Sequence, residues 1–323
     1  MAGGSGSGAV VNAAFAREIV AEEADTPPKP SDYVMVDNLR LVSPYYFDFK
    51  CFVKQRWVGM NLVQLFSQEF PMLTEEYYTR AFNAGRLRVE GHPGIALNTP
   101  LSTSMCVRHL IHRHEPPVLA GSVTVLSTTD EWVAVLKPAC MPVHTVGQYR
   151  KNTVMGVLQA EHPELGMLYP TYRLDKPVSG LLLLARSSAG AGRMRKNLEE
   201  RACSKSYLAR VTGVFPGAPA DSDVAVTLPP GVTLRADGWV SVDVPLSWDA
   251  KYNHVSAVPL GGEGGDAGPS TGSTNKGGKS AAGDPKESQT EFRLRHVAPD
   301  RATSVVECRP KTGRTHQIRV HLQ

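Results

Sequence analysis

The chain lacks any apolar run approaching the roughly 20 residues that a membrane-spanning helix requires. Its opening, MAGGSGSGAVVNAAFAREIV, has neither the basic start nor the long apolar centre of a secretory signal. A protein working inside the cell, with no membrane partner, is therefore expected. Glu18, Glu22, Glu23 and Asp25 come early, whereas organelle transit peptides are poor in acids, so cytoplasm or nucleus is favoured over mitochondrion or plastid. Cysteine is scarce too: Cys51, Cys106, Cys140, Cys203 and Cys308 are scattered, odd in number and form no C-x-x-C pair. That spacing argues against a disulfide framework and a thiolate metal site. One sign of charge barely exceeds the other, at +4 over 323 residues, and only local clustering could make it informative.

What is present is enough apolar sequence, 41%, for one large domain and a smaller one. Residues 1–32 are rich in Gly and Ser, then acidic, then broken by Pro27, Pro28 and Pro30, which reads as a disordered leader. Leu62, Leu65 and Phe66 fall at helical spacing. Thr74 is a candidate N-cap for a second helix reaching Ala84, Gly85 stops it, and RLRVEG reads as a strand. Residues 33–115 thus form an N-terminal extension with a compact helix, helix, hairpin module. From residue 122 the texture becomes β-rich, with SVTVLS, EWVAVLKP, LLLLA, SYLARVTGVF, TEFRLRHVA and TSVVECRP as candidate strands and a helix over 191–202. The class expected is α+β, a mixed and mainly antiparallel sheet with packed helices. Residues 261–287 are low-complexity and read as a solvated insertion in the 122–323 domain.

The chemistry centres on YPTYRLDKPVSGLLLLA, where Asp175 stands between Arg173 and Lys176 before a buried strand. Flanking cations favour an ionised carboxylate, suited to nucleophilic attack or proton abstraction. Alone, the cluster reads more readily as an ordinary salt bridge at a strand start. PKTGRTHQIRVHLQ adds Arg314 at a turn, followed by His316, Arg319 and His321. Those histidines lack the spacing and companion Glu of a metalloprotease helix and read as hydrogen-bonded structural residues. Tyr207 in KSYLARVTG is either a core aromatic or a ring that stacks on a base. Cations cluster at Arg80, Arg86 and Arg88, at Arg108 and Arg113, at Arg193, Arg195 and Lys196, and at Lys311, Arg314 and Arg319. Several such clusters around one carboxylate suit a polyanion, with RNA the natural choice.

At these segments the chain resembles the RluA-type pseudouridine synthases. YRLDKPVSGLLLLAR is similar to their H-R-L-D-x-x-T-S-G-L-L motif, KSYLARVTG to K-x-Y-x-A-x-V-x-G, and RPKTGRTHQIRVHL to P-x-T-G-R-T-H-Q-I-R-V-H-L. KPACMPVHTVGQYRKNT and the stretch YYFDFKCFVKQRWVGMNLVQLF resemble the eukaryotic tRNA branch. The helical part resembles the alpha-L RNA-binding module. The resemblance implies a catalytic Asp175, preceded by Arg173, with Tyr207 stacking on the target base and Arg314 pairing with the carboxylate. The RNA contacts expected around that carboxylate are Arg80, Arg86, Arg88, His144, Lys176 and Arg319. The reaction implied needs no cofactor, metal or redox partner, and tRNA is favoured over ribosomal RNA, with the protein acting as a monomer.

Departures are specific. Tyr172 stands where the family has His, Val178 where it has Thr, and Cys140 and Thr145 replace Gly and Pro. The family's domain continues past V-H-L, whereas this chain stops at Gln323, which reads as truncation. A non-catalytic RNA-binding protein retaining the fold is the alternative expectation. An aspartate-nucleophile hydrolase fits poorly, because no second carboxylate or metal cluster stands at a sensible spacing.

Overall fold

The computed structural model describes residues 27–217, 227–249, 254–258 and 284–323. The expected leader lies outside them up to residue 26, and the expected insertion lies outside them up to residue 283. The chain divides into two compact units, Met1–Gly192 and Arg193–Gln323. Among the described residues every strand pairing is antiparallel, and no helix is long and apolar enough to cross a membrane.

The first unit contains β1 (Tyr33–Val36), β2 (Leu39–Val42), β3 (Tyr45–Phe52), β4 (Leu87–Val89), β5 (Cys106–Arg113) and β6 (Val118–Leu119). It continues with β7 (Thr124–Thr128), β8 (Trp132–Lys137), β9 (Tyr169–Pro170) and β10 (Gly180–Ala185). Its helices are α1 (Leu62–Glu69), α2 (Glu75–Asn83), α3 (Val154–Glu161) and the start of α4 (Ser188–Glu199). The sheets run in the orders β1, β2, β6, then β3, β5, β4, then β7, β8, β10, β9.

Local chemistry explains the small helical part. Asn61 Oδ1 accepts from the Gln64 amide at 2.9 Å while Gln64 Oε1 accepts from the Asn61 amide at 3.0 Å, a reciprocal cap on α1. Thr74 caps α2 through the Tyr77 amide, and Gly85 takes the left-handed conformation that ends it. The apolar faces bury Leu62, Leu65, Phe66 and Tyr78 against Trp57, Leu87 and Val107. His109 sits beside Phe66, Tyr77 and Tyr78. Burial, aided by the Arg86 charge, pushes its pKa down to about 4. Because the unfolded imidazole binds a proton at ordinary pH values near 6.5, stability should fall between pH 6.5 and 4. Acid titration of thermal unfolding should show that slope in wild type and a flatter one in His109→Phe.

The β8, β10 sheet is packed by α3. Val133 and Val135 alternate inward on β8, Leu182 and Leu184 on β10, and Val154, Val157 and Leu158 cover them. Helix α3 was not expected, because Gly156 and the β-branched Val154 and Val157 blur its signal. A Cβ at Gly156 would lie 2.4 Å from the Lys151 carbonyl oxygen, so this close approach requires glycine. Helix α4 begins three residues before the expected Ala191, since the Ser187 hydroxyl accepts from the Gly190 amide and caps it.

The second unit contains β11 (Tyr207–Thr212), β12 (Val232–Leu234), β13 (Trp239–Asp243), β14 (Leu246–Asp249), β15 (His254–Ala257), β16 (Gln289–Val297), β17 (Thr303–Pro310) and the short α5 (Gln317–His321). The main sheet runs β11, β17, β16, β13, β12, and β14 pairs with β15. Its core is Val240, Val242, Phe292, Val306 and Cys308.

Candidate active site

The segment 171–179 reverses the chain between β9 and β10. Thr171 Oγ1 donates to the Leu183 carbonyl at 2.7 Å, the Tyr172 hydroxyl donates to the Leu181 carbonyl at 2.9 Å, and Leu174 is buried. Tyr172, where the family has His, thus ties the turn to β10. The Val178 amide closes it on the Asp175 carbonyl at 3.0 Å. Asp175 is half-buried at its tip, with Arg173 and Lys176 exposed.

Beneath the turn lies a residue that the sequence reading gave no role. Lys137 ends β8, is 0% exposed, and is paired in register with Gly180. Its ammonium donates to the carbonyls of Pro138 at 2.9 Å, Lys176 at 3.1 Å and Val178 at 2.6 Å. Two of those carbonyls lie just after Asp175 in the turn, so a buried cation fixes the backbone that follows the candidate catalytic carboxylate. Burial pushes the ammonium's pKa down to about 8, while Cys140 and Asp175 act to raise it. Alternation along β8 was the available signal, since Lys137 shares the inward face of Val133 and Val135.

Lys176 donates to the Tyr149 hydroxyl at 3.0 Å and lies 5.0 Å from that ring's centroid. His144, on the same loop as Tyr149, is exposed.

Tyr207, Arg314 and Arg319 belong to the second unit. Tyr207 opens β11 opposite Cys308 and packs half-buried on the core. A Cβ on Gly313 would meet Lys205 Nζ at 3.6 Å, so the KSY and TGR segments are neighbours. The Arg314 turn is secured by buried Gln317, whose Oε1 accepts from the Arg314 amide at 2.9 Å and the Thr312 hydroxyl at 2.8 Å. Gln317 Nε2 donates to the Gln289 carbonyl and Thr290 Oγ1, both at 2.9 Å. Arg314 itself is exposed, with Nε donating to the Glu287 carbonyl at 3.0 Å. Arg319 is exposed beside His316. His321 Nε2 donates to the Val244 carbonyl at 3.0 Å and Nδ1 accepts from Thr290 at 2.9 Å, and burial lowers its pKa, so this histidine is a neutral structural tie. Gln317→Ala would remove one hydrogen bond from each of four polar partners. A loss of about 1–3 kcal/mol is expected in chemical denaturation.

The module's cations differ from one another. Arg80 is exposed, 3.8 Å from Glu76, and Arg86 lies over the Tyr77 ring. Arg88 has a partner within the fold: its guanidinium is 2.6 Å from Asp48, which Arg108 also approaches at 2.7 Å. The Asp48 side chain is only 4% exposed, so Arg88 balances a buried carboxylate within the fold.

A model of the RNA pseudouridylate synthase family matches residues 131–323, and the chain belongs to that family. This makes it an enzyme family whose members isomerise uridine within RNA. The rice protein named RNA pseudouridine synthase 7 is 39% identical over 305 residues, covering 94% of this chain and 67% of that protein. The Arabidopsis thaliana protein of the same name is 35% identical, over 95% and 68%. The Saccharomyces cerevisiae mitochondrial tRNA pseudouridine(32) synthase is 33% identical, over 91% of this chain and 54% of its own length. The chain therefore spans about two thirds of the plant relatives and about half of the yeast one. The solved structure titled Human RNA Pseudouridylate Synthase Domain Containing 4 aligns with a TM-score of 0.40 at 22% identity, over 61% of this chain and 62% of that one.

Proposed function

We propose that this chain converts uridine to pseudouridine in tRNA, with Asp175 as the reacting carboxylate. The observation that carries this reading is Asp175 at the tip of a turn whose backbone is fixed from below by Lys137, inside the segment matched by the synthase family. The reaction breaks the C1′–N1 bond, turns the base and joins C1′ to C5. The C5 hydrogen leaves to solvent, and N1 gains a proton. Asp175 either attacks the nucleotide or removes a ribose proton to start it.

The remaining roles follow the motif resemblance. Arg314 is the cation assigned by that resemblance to the reacting carboxylate, Tyr207 stacks on the extruded base, and Arg173 steadies the turn. Arg80, Arg86, Arg88, His144, Lys176 and Arg319 hold phosphates, with the 33–115 extension serving as an RNA-holding module. The tRNA assignment is supported by the printed name of the yeast relative. An intracellular compartment holding tRNA, cytoplasm or nucleus before an organelle, is the setting proposed for a monomeric enzyme. Unmodified tRNA and ribosomal RNA fragments should be compared as substrates, with carbodiimide mapping of the product. One modified tRNA position is expected, whereas modification of ribosomal RNA alone would overturn the tRNA assignment. Binding affinity for tRNA should also fall steeply as salt rises, and a flat dependence would contradict phosphate-led binding.

A further inference from the structure

We propose that Glu115 is a positioning residue for the Asp175 turn, acting through the backbone of residues 150–152 and the side chains of Tyr149 and Lys176. The inference rests on the reading of Asp175 as the reacting group.

Glu115 is buried, 8% exposed, and its carboxylate is surrounded by donors. Oε1 accepts from the Tyr45 hydroxyl at 2.6 Å and the Lys151 amide at 2.8 Å, and Oε2 accepts from the amides of Arg150 and Asn152, both at 2.9 Å. Consecutive amides converging on one anion form a nest, and four donors use the acceptor capacity of a carboxylate fully. Two residues earlier, Arg113 donates to the carbonyls of Gly147 at 2.8 Å and Gln148 at 3.2 Å. One short segment thus grips the carbonyls on one side of Tyr149 and the amides on the other. Lys151 is held again, by Asp32 at 3.0 Å and by the Tyr33 hydroxyl on its carbonyl at 2.8 Å.

Tyr149, placed between the two grips, receives Lys176 on its hydroxyl at 3.0 Å. Lys176 follows Asp175 directly, and its carbonyl receives Lys137. Besides its ties to β10, the Asp175 turn therefore has two further supports: Lys137 from within the sheet, and Tyr149 from a loop whose backbone is set by Arg113 and Glu115. Because β5 ends at Arg113, the same segment joins the proposed RNA-holding module to the catalytic turn. Only a carboxylate suits this place. In either orientation a glutamine would turn its NH2 towards at least one of the amides, and small displacements of a reacting group are expensive in rate.

The test uses the full chain as wild type, Glu115→Gln, Tyr149→Phe and the double variant. Readouts are kcat and KM for tritium release from C5-labelled tRNA, tRNA affinity, and hydrogen exchange of residues 174–178. Glu115→Gln should lower kcat about 10- to 100-fold, change tRNA affinity by much less than kcat, and speed exchange at 174–178. Tyr149→Phe leaves the nest and the ring beneath Lys176 intact and removes only the hydroxyl to which Lys176 donates, so it keeps the proposal testable if Glu115→Gln folds poorly. It should lower kcat in the same direction by less, and the double variant should match Glu115→Gln alone. Wild-type kcat in Glu115→Gln, fold-changes that multiply in the double variant, or unchanged exchange at 174–178 would overturn the proposal. If wild type releases no tritium, the reaction assigned to Asp175 falls, while faster exchange at 174–178 in Glu115→Gln still upholds the positioning link.

Discussion

Asp175→Asn is expected to lower turnover on the order of 10³-fold or more while leaving the protein folded and bound to tRNA. The substitution keeps the shape of the turn, whose closing bond is a backbone contact between Val178 and residue 175, and removes only the anionic oxygen. Asparagine can neither attack as an anion nor take a proton, so neither mechanism survives. Because the loss lies in chemistry and not in binding, kcat and kcat/KM should fall together. Glutamate at 175 would restore the charge but displace it by a methylene. It should recover little activity, since reacting atoms must approach within about 3–3.5 Å.

Lys137→Met should be the most damaging substitution outside the reacting groups. It exchanges a buried ammonium for an apolar chain of similar length and leaves the carbonyls of Pro138, Lys176 and Val178 without their donor. Removing a desolvated charge is favourable by itself, but orphaned acceptors each cost about 1–3 kcal/mol. A net loss of about 2–3 kcal/mol is expected in denaturant unfolding, together with slower turnover from a loosened turn.

The same lysine gives a pH signature. Burial lowers its pKa to about 8, and the neutral amine has two donors for three carbonyls, so wild-type turnover should decline as pH rises through about 8. The stability effect has the opposite sign. Between about 8 and the ordinary 10.5 the unfolded lysine still binds a proton that the folded one has lost, so this group's contribution to stability rises with pH there. Both dependences should vanish in Lys137→Met.

The parts legible in the sequence were those set by local chemistry. Thr74 and Gly85 bracket α2 because caps act within a few residues, and the motif around Asp175 is contiguous. Lys137 was half-legible: alternation on β8 points it inward, but lysine is assumed to face water. Glu115 was not legible at all, because the amides it holds lie 35 to 37 residues further along. The Arg88 ion pair was not legible for the same reason, since its partner Asp48 is brought across the sheet from a strand 40 residues away. Short strands such as β12 and β14 carry Pro and Gly at their margins, which masks their pattern.

The most direct measurement is tritium release from tRNA carrying C5-labelled uridine, with wild type and Asp175→Asn compared at equal tRNA occupancy. Uridine isomerisation at Asp175 predicts release by wild type, matched one for one by pseudouridine formed, and none above background by Asp175→Asn. Equal release by both proteins, or none from folded wild type bound to tRNA, would contradict it.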